Sequence, residues 1–220
     1  MTAVVGCVSQ KGGVGKSSLA RLLAREYAAA GRRVLLADLD TLQATSVEWG
    51  RRREEGGIAP AVPVRGFENV KKALKAASAG GVERLVLDSR GFADRQTAEI
   101  AAAADVILLP TGLAVDDLLP TVRLAHDLAV AGIDARRLLF VLCRAGDNTR
   151  EIEEARQYVA DAGYRCVAEP WPERTGYRRA HDEGRAASEA RHPLLRGRAK
   201  IFAGALTTLI DDHIAKGRMT

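Results

Sequence analysis

The chain lacks the stretches that would carry it into or across a membrane. No basic-then-apolar leader precedes the first apolar run, Ala3 to Val8, and no apolar stretch approaches the ~20 residues of a membrane-spanning helix. A soluble, cytoplasmic protein is the expectation. Cysteine is also scarce: Cys7, Cys143 and Cys166 are far apart and each lies in an apolar run. That placement suits small buried strand residues and argues against a disulfide framework or a cysteine metal site.

What is present bounds the fold. With 220 residues, 47% of them apolar, the chain can bury one good core but is short for two, so residues 1–220 are expected to form a single domain. A net charge of +5 leans toward an anionic partner such as nucleic acid, without excluding an ordinary basic soluble protein.

The run Ser9-Gln10-Lys11-Gly12-Gly13-Val14-Gly15-Lys16-Ser17-Ser18 directly follows the first apolar run. It reads as a strand feeding a phosphate-binding loop. Three glycines in four residues let successive N–H groups point inward, forming an anion nest that continues into a helix N-terminus. In such a loop Lys16 carries its charge to the β and γ phosphates, and the Ser17 hydroxyl ligates the bridging Mg²⁺. The usual loop pattern wants glycine five residues before Gly15, where this chain has Gln10.

Gln10-Lys11-Gly12-Gly13-Val14-Gly15-Lys16-Ser17 resembles the deviant phosphate-loop box of the ParA/MinD superfamily of ATPases. Gln10, where the MinD branch usually carries glycine, leans toward the partition branch, and the chain as a whole resembles the small members of that branch that lack an added DNA-binding domain. The resemblance implies a doubly wound α/β fold, with one mostly parallel sheet covered by helices on both faces. It also implies ATP and Mg²⁺ as cofactors. Lys11 would be the extra lysine that crosses a nucleotide-sandwich homodimer to the partner's phosphates.

The rest of the chain fits alternating strands and helices. Leu19, Leu22, Leu23 and Tyr27 mark a helix ending near Gly31, and Arg33 to Asp40 reads as a buried strand carrying Asp38 and Asp40. Asp40, at the carboxyl edge, is the better chemical candidate. In the family the matching aspartate helps hold Mg²⁺ and orients the attacking water. Asp38 reads as a strand-end carboxylate paired with a basic neighbour. A helix from Ala44 to Glu55 ends in Arg51-Arg52-Arg53-Glu54-Glu55, a mixed-sign run expected to be solvated. A short strand around 61–64 and a helix from Phe67 to Ala77 read as scaffold. Glu83 to Asp88 is an apolar strand delivering Asp88 to the same edge, as a Mg²⁺-binding aspartate requires. Asp116 and Asp117 suit the first turn of a helix running to Val130.

Arg137 to Cys143 reads as a strand, followed by a helix capped by Asn148 or Thr149. Many relatives set an asparagine after this strand to read adenine. Here Arg144 or backbone groups would do that work. After a strand at Tyr164 to Ala168, Pro170-Trp171-Pro172 forms a rigid turn where Trp171 either covers the base or fills the core. Residues 173–200 are the most basic segment, and arginine suits phosphate backbones. By resemblance, Arg174, Arg178, Arg179, Arg196, Arg198 and Lys200 are the candidates for sequence-independent DNA contacts. A final helix over 194–216 has a broad apolar face. Asp211 and Asp212 beside that face favour packing on the domain over membrane binding.

The resemblance thus implies a partition-type ATPase with weak intrinsic turnover. Lys11, Lys16 and Asp40 would carry the chemistry, and Ser17, Asp40 and Asp88 would hold the metal. Its expected partners are a second copy, non-specific DNA on the nucleoid, and a centromere-binding ParB-like protein or cargo adaptor. The rival readings are a MinD-like membrane-cycling regulator and a nucleotide-gated scaffold without useful hydrolysis.

Overall fold

The computed structural model describes residues 1–91 and 95–217. Seven strands form one parallel sheet in the order β3-β2-β4-β1-β5-β6-β7. They are β1 Ala3–Cys7, β2 Val34–Asp38, β3 Val64–Gly66, β4 Arg84–Asp88, β5 Val106–Thr111, β6 Leu138–Ala145 and β7 Arg165–Cys166. A two-residue strand, β8 (Trp171–Pro172), adds beside the end of β6. Among the described residues eight α-helices connect and cover them: α1 Lys16–Ala29, α2 Thr45–Glu55, α3 Val70–Ala79, α4 Arg95–Ala103, α5 Val115–Val130, α6 Thr149–Asp161, α7 Thr175–Asp182 and α8 Pro193–Gly217.

Strand alternation divides the apolar residues between two faces. In β1, Ala3, Val5 and Cys7 point into one core with Leu19, Leu22 and Leu23 of α1 and with Phe202 and Leu206 of α8. Val4 and Val8 point into the other, with residues of α3 to α6 such as Val70, Ile100, Leu124 and Val159. Both faces are covered, as a parallel sheet demands.

Several expected boundaries move for identifiable reasons. β2 ends at Asp38, not Asp40, because the Asp38 carboxylate accepts the N–H groups of Asp40, Ser46 and Val47 and turns the chain into α2. Those N–H donors, not a basic neighbour, are its hydrogen-bond partners. The third strand lies at Val64–Gly66 instead of 61–64. The next helix starts at Val70, not Phe67, because Asn69 Oδ1 caps it by accepting Lys72 N–H at 2.9 Å. β7 keeps only two of the five expected residues.

Arg53 departs most from expectation. It is 2% exposed, and its guanidinium makes a two-pronged pair with Glu189 (2.7 and 2.9 Å) while donating to the carbonyls of Pro60 and Gly184. The charged end of α2 is therefore clamped to the C-terminal segment. The final helix buries Phe202, Leu206, Ile210 and Ile214. Among the described residues no helix is long and apolar enough to cross a membrane.

Candidate functional site

The glycine-rich loop lies between β1 and α1, at the carboxyl edge of the sheet. Gly15 occupies the N-cap of α1 with φ 114°, a conformation in which an L side chain would be strained. Lys16 opens the helix and is only 6% exposed, with Nζ donating to the Lys11 carbonyl at 3.2 Å. Burial lowers its pKa, and the carboxylates of Asp88 and Asp40 push it back up. A buried ammonium at the N-terminal end of α1, where the helix dipole is positive, suits an anionic ligand. Gln10, Gly12, Gly13 and Val14 form the loop around it, and Ser17 and Ser18 follow in the first helical turn.

The acids converge from neighbouring strands. Asp38 and Asp88 are register partners on β2 and β4, and Cys7 stands opposite Asp88 on β1. Asp88 is 2% exposed, with Oδ2 accepting the Ser46 hydroxyl at 2.7 Å. Among the described residues its buried Oδ1 has no hydrogen-bond partner. Desolvation raises the Asp88 pKa to about 6, with Asp38 adding repulsion and Ser46, Arg21 and the nearby Ser17 hydroxyl opposing. A buried, unsatisfied carboxylate oxygen beside a hydroxyl and a phosphate loop fits a Mg²⁺ site, whose ligands are hard oxygens. Among the described residues no three acidic, His or Cys side chains cluster to hold a metal by themselves. Phosphate and water oxygens would therefore have to complete the shell. Asp40 is half-buried just beyond β2, its Oδ1 accepting Gln43 N–H at 3.1 Å.

Lys11 turns toward α5 of its own chain. Its Nζ pairs with Asp117 Oδ1 at 2.7 Å and also donates to the Asp116 carbonyl. Helix-dipole logic accounts for two acids in that first turn, but it gives no hint of this contact. Gly91 packs directly on the loop, since a Cβ there would sit 3.2 Å from Lys16 Nζ and 3.3 Å from Gly12 Cα. Arg144 takes a left-handed backbone (φ 56°) and reaches back over the loop, with Nη2 2.9 Å from where a Cβ on Gly13 would stand.

A family profile described as the CobQ/CobB/MinD/ParA nucleotide binding domain matches residues 5–186. The chain belongs to this family. Solved structures that share the fold of this ParA/MinD-family chain include the cell division ATPase MinD of Pyrococcus furiosus. That match has TM-score 0.72 and 20% identity, covering 95% of this chain and 100% of the other. MinD of Pyrococcus horikoshii, solved with Mg-ADP, matches with TM-score 0.72 and 20% identity over 93% and 94% of the two chains. A protein described as a plasmid partition protein of Borrelia burgdorferi, bound to AMPPNP, matches with TM-score 0.67 and 17% identity over 99% and 100%. No match was found among curated protein sequences.

Elsewhere on this ParA/MinD fold the expected base and DNA contacts separate into groups. Trp171 is 5% exposed, stacked on Tyr177 with centroids 5.0 Å apart and packed on Phe202 at 4.7 Å. Its faces are occupied by the core, which corrects the expectation of a base cover. Pro170 instead lines a cavity of about 540 Å³ together with Gly146, Asp147, Pro172 and Arg198. Of the basic residues, Arg174 is tied to Asp147 at 2.5 Å and is 24% exposed, while Arg178 pairs with Glu173. Arg198 lies 4.0 Å from Asp147. Arg179, Arg196 and Lys200 are exposed and form no ion pair among the described residues. Tyr177 donates its hydroxyl to the Leu195 carbonyl at 3.0 Å, which brings α7 against the start of α8.

Proposed function

We propose that this chain is a ParA-like ATPase that partitions a plasmid, chromosome or other cargo. Mg-ATP would close a homodimer, the dimer would hold DNA without reading sequence, and hydrolysis would release it. The observation that carries the reading is the juxtaposition of buried Lys16 with buried Asp88 and with the Ser17 hydroxyl that acts on its carboxylate.

In this reading the loop N–H groups and Lys16 hold the phosphates, and Ser17 and Asp88 hold Mg²⁺, which neutralises phosphate charge. Asp40 orients the attacking water, and Arg144, reaching over the loop, attends the base side. Lys11 acts in trans. Its ion pair to Asp117 is 42% and 25% exposed at the two side chains, and such a pair contributes at most about 1 kcal/mol. Exchange for a partner's phosphate therefore costs little and gains charge-assisted hydrogen bonds. With catalysis limited to positioning and charge, intrinsic turnover is slow, and a ParB-like protein or cargo adaptor accelerates it.

Unpaired Arg179, Arg196 and Lys200 support nucleoid DNA as the anionic surface. The MinD-like alternative would recruit α8 to lipid, yet Phe202, Leu206, Ile210 and Ile214 of that helix are spent in the core, which leaves Leu194 and Ile201 as its exposed large apolar residues. Fluorescence anisotropy of a random-sequence duplex, titrated with protein under Mg-ATP, Mg-ADP or no nucleotide, tests the proposal. Salt-sensitive binding only with ATP supports it. Absence of DNA binding in every state, with ATP-dependent liposome binding instead, contradicts it in favour of the membrane reading.

A further inference from the structure

Ser46 lies in the first turn of α2, 0% exposed, between two carboxylates and a guanidinium. Its Oγ is 2.7 Å from Asp88 Oδ2 and 3.1 Å from Arg21 Nε, and its backbone N–H donates to Asp38 Oδ2 at 2.8 Å. Arg21, itself 7% exposed, can only donate. Ser46 Oγ must therefore accept from Arg21, which directs the single hydroxyl proton to Asp88. A terminal carboxylate torsion is broad and roughly two-fold, so an unpinned Asp88 could present either oxygen or rotate away. With Oδ2 bonded, Oδ1 is the oxygen left without a hydrogen-bond partner among the described residues. The Asp38 carboxylate accepts the backbone N–H of Ser46, so this donor to Asp88 is itself held from behind.

We propose that Ser46 is a positioning residue for the metal aspartate: its hydroxyl, oriented by Arg21, pins Asp88 Oδ2 so that Oδ1 faces the Mg²⁺ of a bound nucleotide. This inference rests on the Mg-nucleotide reading above. It assigns to α1 and α2 a part in metal binding that neither the phosphate loop nor the strand-end acids reveal. Removing such outer hydrogen bonds typically weakens metal affinity by about 10–100-fold.

The test is a Mg²⁺ titration of fluorescent mant-ADP binding to the full chain, with binding in EDTA measured in parallel. Ser46→Ala is expected to raise the Mg²⁺ midpoint about tenfold or more while leaving the EDTA affinity unchanged, and Ser46→Thr, which restores a hydroxyl, should recover the wild-type midpoint. A wild-type midpoint in Ser46→Ala overturns the inference alone. Equal losses with and without Mg²⁺ in both variants also overturn it, because they mark a general structural role. Absence of nucleotide binding by the wild type overturns the Mg-nucleotide reading and the inference with it. Should Ser46→Ala fail to fold, Arg21→Met keeps an apolar stem of similar length but removes every N–H donor to Ser46 Oγ. That variant is expected to raise the midpoint several-fold, and an unchanged midpoint there counts against the inference.

Discussion

Replacing Asp88 by asparagine is expected to stabilise the metal-free protein at neutral pH while abolishing its response to Mg²⁺. Burial, reinforced by repulsion from Asp38, raises the Asp88 pKa from 3.8 to about 6. At about 1.4 kcal/mol per pKa unit, the roughly two-unit shift means that ionised Asp88 costs the fold about 3 kcal/mol. The sign follows from proton binding. Between the unfolded and folded pKa values the folded state binds more protons than the unfolded state, so stability falls as pH rises through that window. Above the window the full cost is present, and toward pH 4 most of it disappears. Asparagine never ionises, so the stability difference between Asp88→Asn and wild type should grow by about 2–3 kcal/mol from pH 4 to pH 7.5. Any cost of the buried amide where Oδ1 stood is nearly constant with pH, so the slope is the diagnostic quantity. Urea denaturation in EDTA, followed by tryptophan fluorescence, measures it. A difference independent of pH would refute the reasoning.

Arg53→Ala is expected to cost about 3 kcal/mol in urea denaturation, because it leaves two interior carbonyls unpaired and strips Glu189 of its two-pronged partner, with Arg25 and the Ala186 N–H remaining to it. The double variant Arg53→Met with Glu189→Leu should be less destabilised than Arg53→Ala alone. Trp171→Ala should also cost about 3–5 kcal/mol, and Trp171→Phe should leave nucleotide affinity unchanged in a mant-ADP titration, since the ring belongs to the core. Arg196→Glu with Lys200→Glu should weaken DNA binding in anisotropy titrations. For every phosphate that is no longer neutralised, the log–log salt slope should flatten by about 0.9.

The phosphate loop was legible in the sequence because its chemistry is local. Glycines, lysine and serine at fixed spacing after an apolar run specify a nest and a helix start, and the structure puts Gly15 and Lys16 there. Asp88 was legible for a similar reason, as the last residue of a short apolar strand. Interactions that depend on distant parts of the chain were not. Arg53 belongs to a mixed-sign run that reads as solvated, and its partner Glu189 lies 136 residues on. Asp117 carries an ordinary first-turn signature, while its contact with Lys11 spans 106 residues. Ser46 carries no local signal, because its meaning comes from α1 and β4 folding against it. Trp171 was ambiguous between base cover and core until Tyr177 and Phe202 closed on its ring.

Closure of two copies of this chain by Mg-ATP, through Lys11, is the step on which the proposed cycle depends. Sedimentation velocity of wild type and Lys11→Ala, each with Mg-ATP, Mg-ADP or no nucleotide, tests it most directly. Wild type is expected to shift from monomer to dimer with Mg-ATP alone, and Lys11→Ala to stay monomeric in every condition. A wild type that stays monomeric with Mg-ATP, or a Lys11→Ala variant that dimerises equally well, would contradict the proposal.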